Sequence, residues 1–117
     1  MQYLLLIYTD EQQDAQRTPA EQEANMAEYF AFTNEVRTAG VFQAGEALHP
    51  TATATTVRVH QDQIVSADGP FAETKEQLGG YYLLNCKNLD EAIQWAAKIP
   101  GARAGSVEIR PVWEFEK

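Results

Sequence analysis

A chain of 117 residues is most simply one domain, 1–117, and can bury roughly two-thirds of its unfolded surface, enough for one core. With 17 acidic against 9 basic residues, its formal charge of −8 argues against a nucleic-acid partner and an anionic membrane surface, both of which need a basic face. The lone Cys86 excludes an intramolecular disulfide, and the first apolar run is too short for a secretory signal or a membrane span, so a cytoplasmic setting is expected.

That run, YLLLIY (3–8), predicts a central strand covered on both faces. Residues 9–17 are polar and predict a loop. TPAE (18–21) opens a helix: Thr18 caps it, Pro19 suits the first helical position and Glu21 closes a capping box. Met26, Tyr29, Phe30, Thr33 and Val36 recur at helical spacing as its inner face. Gly40 ends it, so the helix should run from about 19 to 39. Val41 to Pro50 is less regular and predicts a short strand that runs into a loop. TATTVRV (53–59) is β-branched and predicts another strand. HQDQ (60–63) turns it and IVSA (64–67) returns, a hairpin without the favoured Asn-Gly pair.

The next stretch, ADGPFAETKE (67–76), is kinked and charged. Asp68-Gly69 is a turn pair, and Pro70 pushes Gly69 out of the right-handed helical region. Phe71 is expected to plug the core and lock the loop, which would leave Glu73, Lys75 and Glu76 on a braced segment. GGYYLLNC (79–86) predicts a strand entered through two glycines, with Tyr81 and Tyr82 on opposite faces and Cys86 buried and inert. Asn88 caps a second helix whose inner face is Ala92, Ile93, Trp95, Ala96 and Ile99, and Pro100-Gly101 ends it. SVEIRPVWEF (106–115) alternates, with Val107, Ile109 and Trp113 inward and Glu108, Arg110 and Glu114 outward. It reads as a half-buried strand, and both Trp95 and Trp113 are expected in the core.

Strand, long helix, hairpin, strand, helix and strand together predict the α+β class. The expected architecture is a ferredoxin-like βαββαβ-type antiparallel sheet with two helices on one face. The other face then carries apolar residues of the first strand and of the Tyr81–Leu84 run. A second copy is the simplest cover, which predicts a homodimer with facing sheets.

Two readings of the 68–76 segment stand side by side. As a connector, its charges are solvated. As a pocket rim, Asp68 or Glu73 supplies a carboxylate base or acceptor and Lys75 anchors an anion, together the candidate catalytic set. Arg58 and Arg110 lie mid-strand, either in structural ion pairs (with Asp68, Glu73 or Glu108) or as anchors of an anionic substrate. Tyr82 offers a hydroxyl to a pocket, or packs in the core with it satisfied. His49, beside Pro50, has the pKa range of a general base and completes the candidate binding set, whereas His60 in the hairpin turn is expected to be solvated. The histidines lack metal-ligand spacing, and there is no GxGxxG, Walker or Gly-x-Ser-x-Gly motif, so neither metal nor cofactor is expected.

The string DGPFAETKEQLGGYYLL (68–84) resembles the signature of the DGPF-type branch of the YCII-related family. The likeness extends to MQYLLLIY (1–8), AGVFQAGEALHP (39–50), ATTVRV (54–59), LDEAIQWAAKIP (89–100) and VEIRPV (107–112). The resemblance implies a dimeric α+β barrel of ferredoxin-like subunits. It also implies an enzymatic role, or for some DGPF-like domains a link to sigma-factor-type regulators. In YCII-like relatives a His on the first helix and an Asp near the end of the second form the active pair. Here the first helix opens TPAEQEANM and the second ends KIPGAR, with neither residue. The expected function is therefore a YCII-related domain that binds a small polar or anionic molecule, as an acid–base enzyme of isomerase or lyase type, with the 68–76 segment as its natural site. The alternative is a non-catalytic protein-interaction or regulatory module that docks through the same loop.

Overall fold

The structure is a computed structural model that describes residues 1–115. Strands β1 (Gln2–Thr9), β2 (Phe42–Ala47), β5 (Gln77–Asn85) and β6 (Ser106–Pro111) form an antiparallel sheet in the order β2-β5-β1-β6. Helices α2 (Pro19–Thr38) and α3 (Leu89–Ala97) pack on one face of it. This is the ferredoxin-like arrangement. The remaining strands, β3 (Thr55–His60) and β4 (Gln63–Asp68), form a separate two-stranded sheet inserted between β2 and β5.

Local signals account for most of these elements. Thr18 accepts from the Glu21 N–H while Glu21 accepts from the Thr18 N–H, closing the capping box at the start of α2. Beyond the other end of α2, Gly40 takes φ +77°, a conformation that suits glycine. Asn88 caps α3 by accepting from the Glu91 N–H.

Period-two burial sets the core. Tyr3, Leu5 and Ile7 of β1 and Tyr82 and Leu84 of β5 are buried against Phe32 and Val36 of α2 and Ala92 and Ala96 of α3. Leu4, Leu6, Tyr8, Tyr81 and Leu83 point to the opposite face and are only partly buried.

Several expected positions differ. Residues 9–17 are not all loop: Asp10 accepts from the N–H groups of Gln12 and Gln13 and caps a short helix, α1 (Glu11–Asp14). The strand expected from residue 53 starts at Thr55, after a 3₁₀ turn over Thr51–Thr53. Pro100-Gly101 ends α3 but also opens one more helical turn, α4 (Gly101–Ala104). Met26 and Phe30 are exposed, because the buried stripe of α2 runs through Tyr29, Phe32 and Val36. Ile93 is likewise exposed, at the flank of the α3 stripe. β6 stops at Pro111, so the alternation does not carry Trp113 into the core. Trp113 is 79% exposed and stacks on Phe115. Phe71 is 78% exposed and plugs nothing, because the 69–76 segment runs over the surface. No described helix is long and apolar enough to cross a membrane.

Candidate functional site

The concavity that combines aromatic walls with convergent polar groups lies between α2 and the β2–β5 half of the sheet. It has a volume of about 760 Å³. Its floor includes Ile7, Gly45, Gly80 and Tyr82, and Tyr29, Phe30, Thr33 and Phe42 form its walls. α1 and the turn after it bring Glu11, Asp14 and Arg17 to its mouth, and Arg37 and Glu46 also border it. A second depression, between α2 and α3, is edged by the surface pairs Lys98–Glu35 and Arg103–Glu28, which leave those charges engaged with each other.

Local structure explains how the first concavity stays open. β5 carries one extra residue opposite the Ile7/Tyr8 step of β1, a bulge at Gly79 that bends the strand at the cavity wall. Gly45 faces the Tyr82 ring, and a Cβ there would sit 2.8 Å from it. A Cβ on Gly101 would lie 2.8 Å from both the Tyr29 hydroxyl and an Ile7 methyl, so glycine is what lets Tyr29 reach this position.

The polar groups are tied into a frame. The Gly101 N–H donates to Tyr29 Oη at 3.1 Å, and Thr33 Oγ1 and Tyr82 Oη share a bond of 2.7 Å. Thr9 donates to Asp14 at 2.7 Å, and Asp14 also pairs with Arg17 at 3.1 Å. Both Glu11 carboxylate oxygens are taken by Thr51, from its N–H at 2.9 Å and its hydroxyl at 2.7 Å. The Arg37 guanidinium sits over the Phe42 ring, 4.7 Å from its centre. Burial pushes the Tyr29 phenol above its ordinary pKa, against a smaller downward pull from the Gly101 N–H.

Of the residues singled out from sequence, Tyr82 lines this cavity. Arg58 lies exposed on β3, and His49 is exposed just before the 3₁₀ turn. Arg110 pairs with Glu108 at 3.0 Å on the exposed face of β6, the ion-pair partner named above. Asp68 ends β4, and Glu73 and Lys75 are exposed on the following loop. These residues do not converge on one point. The loop is nevertheless attached to the cavity mouth: the Gln77 side chain donates to the Thr74 carbonyl and accepts from the Glu11 N–H at 2.9 Å. Tyr29, Thr33, Glu11, Asp14, Arg17, Arg37 and Glu46 are among the cavity residues that pattern reading missed. Helical spacing alone reads Tyr29 and Thr33 as part of the core stripe of α2. The cap Asp10, three residues before Gln13, was the overlooked signal for α1.

Fold and cavity together define a small ferredoxin-like α+β protein with a pocket between its long helix and its sheet. The chain belongs to the YCII-related domain family, whose model matches residues 1–116. It is 39% identical over 114 residues to an uncharacterised protein of Rhizobium meliloti (strain 1021), covering 96% of this chain and 92% of the relative. A solved structure with the same fold is the 5-chloro-2-hydroxyhydroquinone dehydrochlorinase of Burkholderia phenoliruptrix AC1100 in complex with 2,5-dihydroxybenzoquinone. The TM-score is 0.53 at 15% identity, over 99% of this chain and 96% of that one.

Proposed function

We propose that this chain binds a small polar or anionic cyclic compound in the cavity between α2 and the β2–β5 edge. We further propose that it acts there as an acid–base enzyme of isomerase or lyase type. The observation that carries this is the cavity itself, whose aromatic walls are set with hydroxyls and whose mouth carries carboxylates and two arginines. Ligand pockets combine an apolar lining with a few placed polar groups in this way. The dehydrochlorinase of the same fold, held with a ring compound, supports a cyclic ligand.

In this reading Tyr82 lines the ligand and Arg17 or Arg37 attracts its charge. A rim carboxylate, Glu46 or the loop's Glu73, accepts a proton, with Asp68 and Lys75 on the same segment. The Gln77 tether between that loop and α1 supports giving the loop a part. His49, Arg58 and Arg110 enter only if a second copy brings them to a mouth.

That copy belongs to the proposal. The partly buried sheet face of Leu4, Leu6, Tyr81 and Leu83 suits a homodimer with facing sheets. Light scattering that gives a clean monomer mass at micromolar protein would refute it. A cytoplasmic setting suits the buried free thiol of Cys86, which burial holds protonated.

A thermal-shift screen of anionic and cyclic metabolites tests the site. A ligand at a hundred times its Kd should stabilise the fold by about 2.7 kcal/mol, a shift of several degrees. Asn25 of α2 also lines the cavity, so hits lost in Asn25→Trp, which puts bulk on its wall, support this site, and hits also lost in Glu73→Ala bring in the loop. Hits that survive Asn25→Trp contradict it.

A second reading, a docking module without catalysis, is favoured by the exposed Val57, Val59, Ile64 and Val65 of the β3–β4 hairpin. A stable partner complex lost in Val59→Ser/Ile64→Ser, together with a screen that gives no hit, would put it first.

A further inference from the structure

The hydroxyl hydrogens at the cavity wall are not all used within the described residues. Three hydroxyls face the space with hydrogens to account for, those of Tyr29, Thr33 and Tyr82, each with one donor hydrogen; of the other hydroxyl residues on the lining, Thr9 spends its hydrogen on Asp14 and Tyr81 points to the opposite face of the sheet. Tyr29 accepts from the Gly101 N–H, and its own hydrogen has no acceptor among the described residues. Thr33 and Tyr82 share one hydrogen bond, which uses one of their two hydrogens. Two donor hydrogens therefore remain for whatever occupies the cavity.

Their positions are related by the helix. Tyr29 and Thr33 lie four residues apart on α2, neighbours on one face. The two spare donors therefore border one cavity, one at Tyr29 and the other at the Thr33–Tyr82 pair. Burial keeps the Tyr29 phenol protonated and so a donor. The Ile7, Phe30 and Phe42 side chains around them suit a flat apolar ring between its polar ends.

We propose that the cavity takes a ring bearing two oxygen acceptors, of quinone or ring-diketone type, with the Tyr29 hydroxyl donating to one oxygen and the Thr33–Tyr82 pair to the other. The proposal rests on reading the cavity as a ligand site. Hydroxyls placed in this way would also stabilise negative charge that develops on a ring oxygen when a neighbouring carbon loses a proton. Gly101 is then a specificity element, because it alone leaves room for the Tyr29 hydroxyl beside its N–H.

Amide NMR titration with 2,5-dihydroxybenzoquinone tests the assignment on wild type, Tyr29→Phe and the double variant Thr33→Val/Tyr82→Phe. The expected result is shift changes centred on Gly45, Gly80 and Gly101, with Kd about tenfold weaker in each variant. Tyr29→Phe strands the Gly101 N–H and can unsettle α4. Thr33→Val/Tyr82→Phe removes both hydroxyls of the shared pair, lies away from that contact and keeps the test valid if the first variant folds poorly. Cavity shifts with unchanged Kd in both variants would overturn the hydroxyl assignment and leave the cavity reading standing. Cavity shifts from rings without oxygen, but none from the quinone, would overturn the ligand class alone. If no compound shifts the cavity amides, the cavity reading itself fails and this inference with it.

Discussion

The four-stranded sheet and the β3–β4 hairpin are built from similar residues and behave differently. In β1 and the second half of β5 every second residue is buried, whereas in the hairpin no residue is. Val59 is 70% exposed and Ile64 79%, while Leu5 and Leu84 are sealed. The hairpin turns through Gln61 and Asp62, both with positive φ, and its open end is joined by the bond from the Gly69 N–H to the Ala54 carbonyl. A lone two-stranded hairpin is marginal in water. Its projection helps to explain a radius of gyration of 16.2 Å, where roughly 13 Å is ordinary for this length. Strand propensity reports a fit to a pleated surface. It does not report whether a surface is there to be covered.

The contrast can be broken from the sheet side first. Leu84→Ala, in the sealed core, should cost about 2–5 kcal/mol, read as a lower urea midpoint. Gly45→Ala should cost about 1–3 kcal/mol, because the new methyl meets the Tyr82 ring, and it should weaken cavity ligands at the same time. A loss of stability with no change in ligand affinity would separate the cavity from Tyr82. Thr18→Ala removes the cap of α2 and should cost about 1 kcal/mol, read in the same denaturation.

A smaller effect is expected from Glu91. Its carboxylate pKa is lowered, first by the Lys87 backbone N–H and then by the Trp95 indole N–H. A depressed folded pKa stabilises above the unfolded value of about 4.3, and this contribution is lost as pH falls through the folded value. The stability gap between wild type and Glu91→Gln should therefore shrink as the pH drops below that range.

The smallest change belongs to the hairpin. Val59→Ser/Ile64→Ser should alter the stability of an isolated chain by no more than about 0.5 kcal/mol per site. A much larger, concentration-dependent loss would mean that another chain covers the hairpin.

Local chemistry made much of the fold legible. The Thr18–Pro19–Glu21 cap, Gly40 and Asn88 placed the helices, because helix ends are closed by groups a few residues away. The continuous apolar run of 3–8, and the apolar run of 81–84 behind two glycines, placed the two central strands, whose paired register the structure shows. The long DGPF-like string pointed to the family.

The location of the cavity was not local. Tyr29 and Thr33 carry an ordinary helical pattern, and nothing in it says that α2 leaves a gap over the β2–β5 edge. That gap depends on a bulge at Gly79, on the absence of a Cβ at Gly45 and Gly101, and on an α1 turn held by Thr51 from forty residues away. The same limit applies to Phe71 and Trp113. Their apolar rings promised burial, but burial is a property of the surface a residue meets, and the chain carries both past the edge of the core. Spacing and the chemistry of element ends thus determined most of the helices and strands, and the resemblance of the DGPF-like string pointed to the family. Only the tertiary packing decided which hydroxyls share one cavity, because those contacts join residues far apart in sequence, and no local pattern records them.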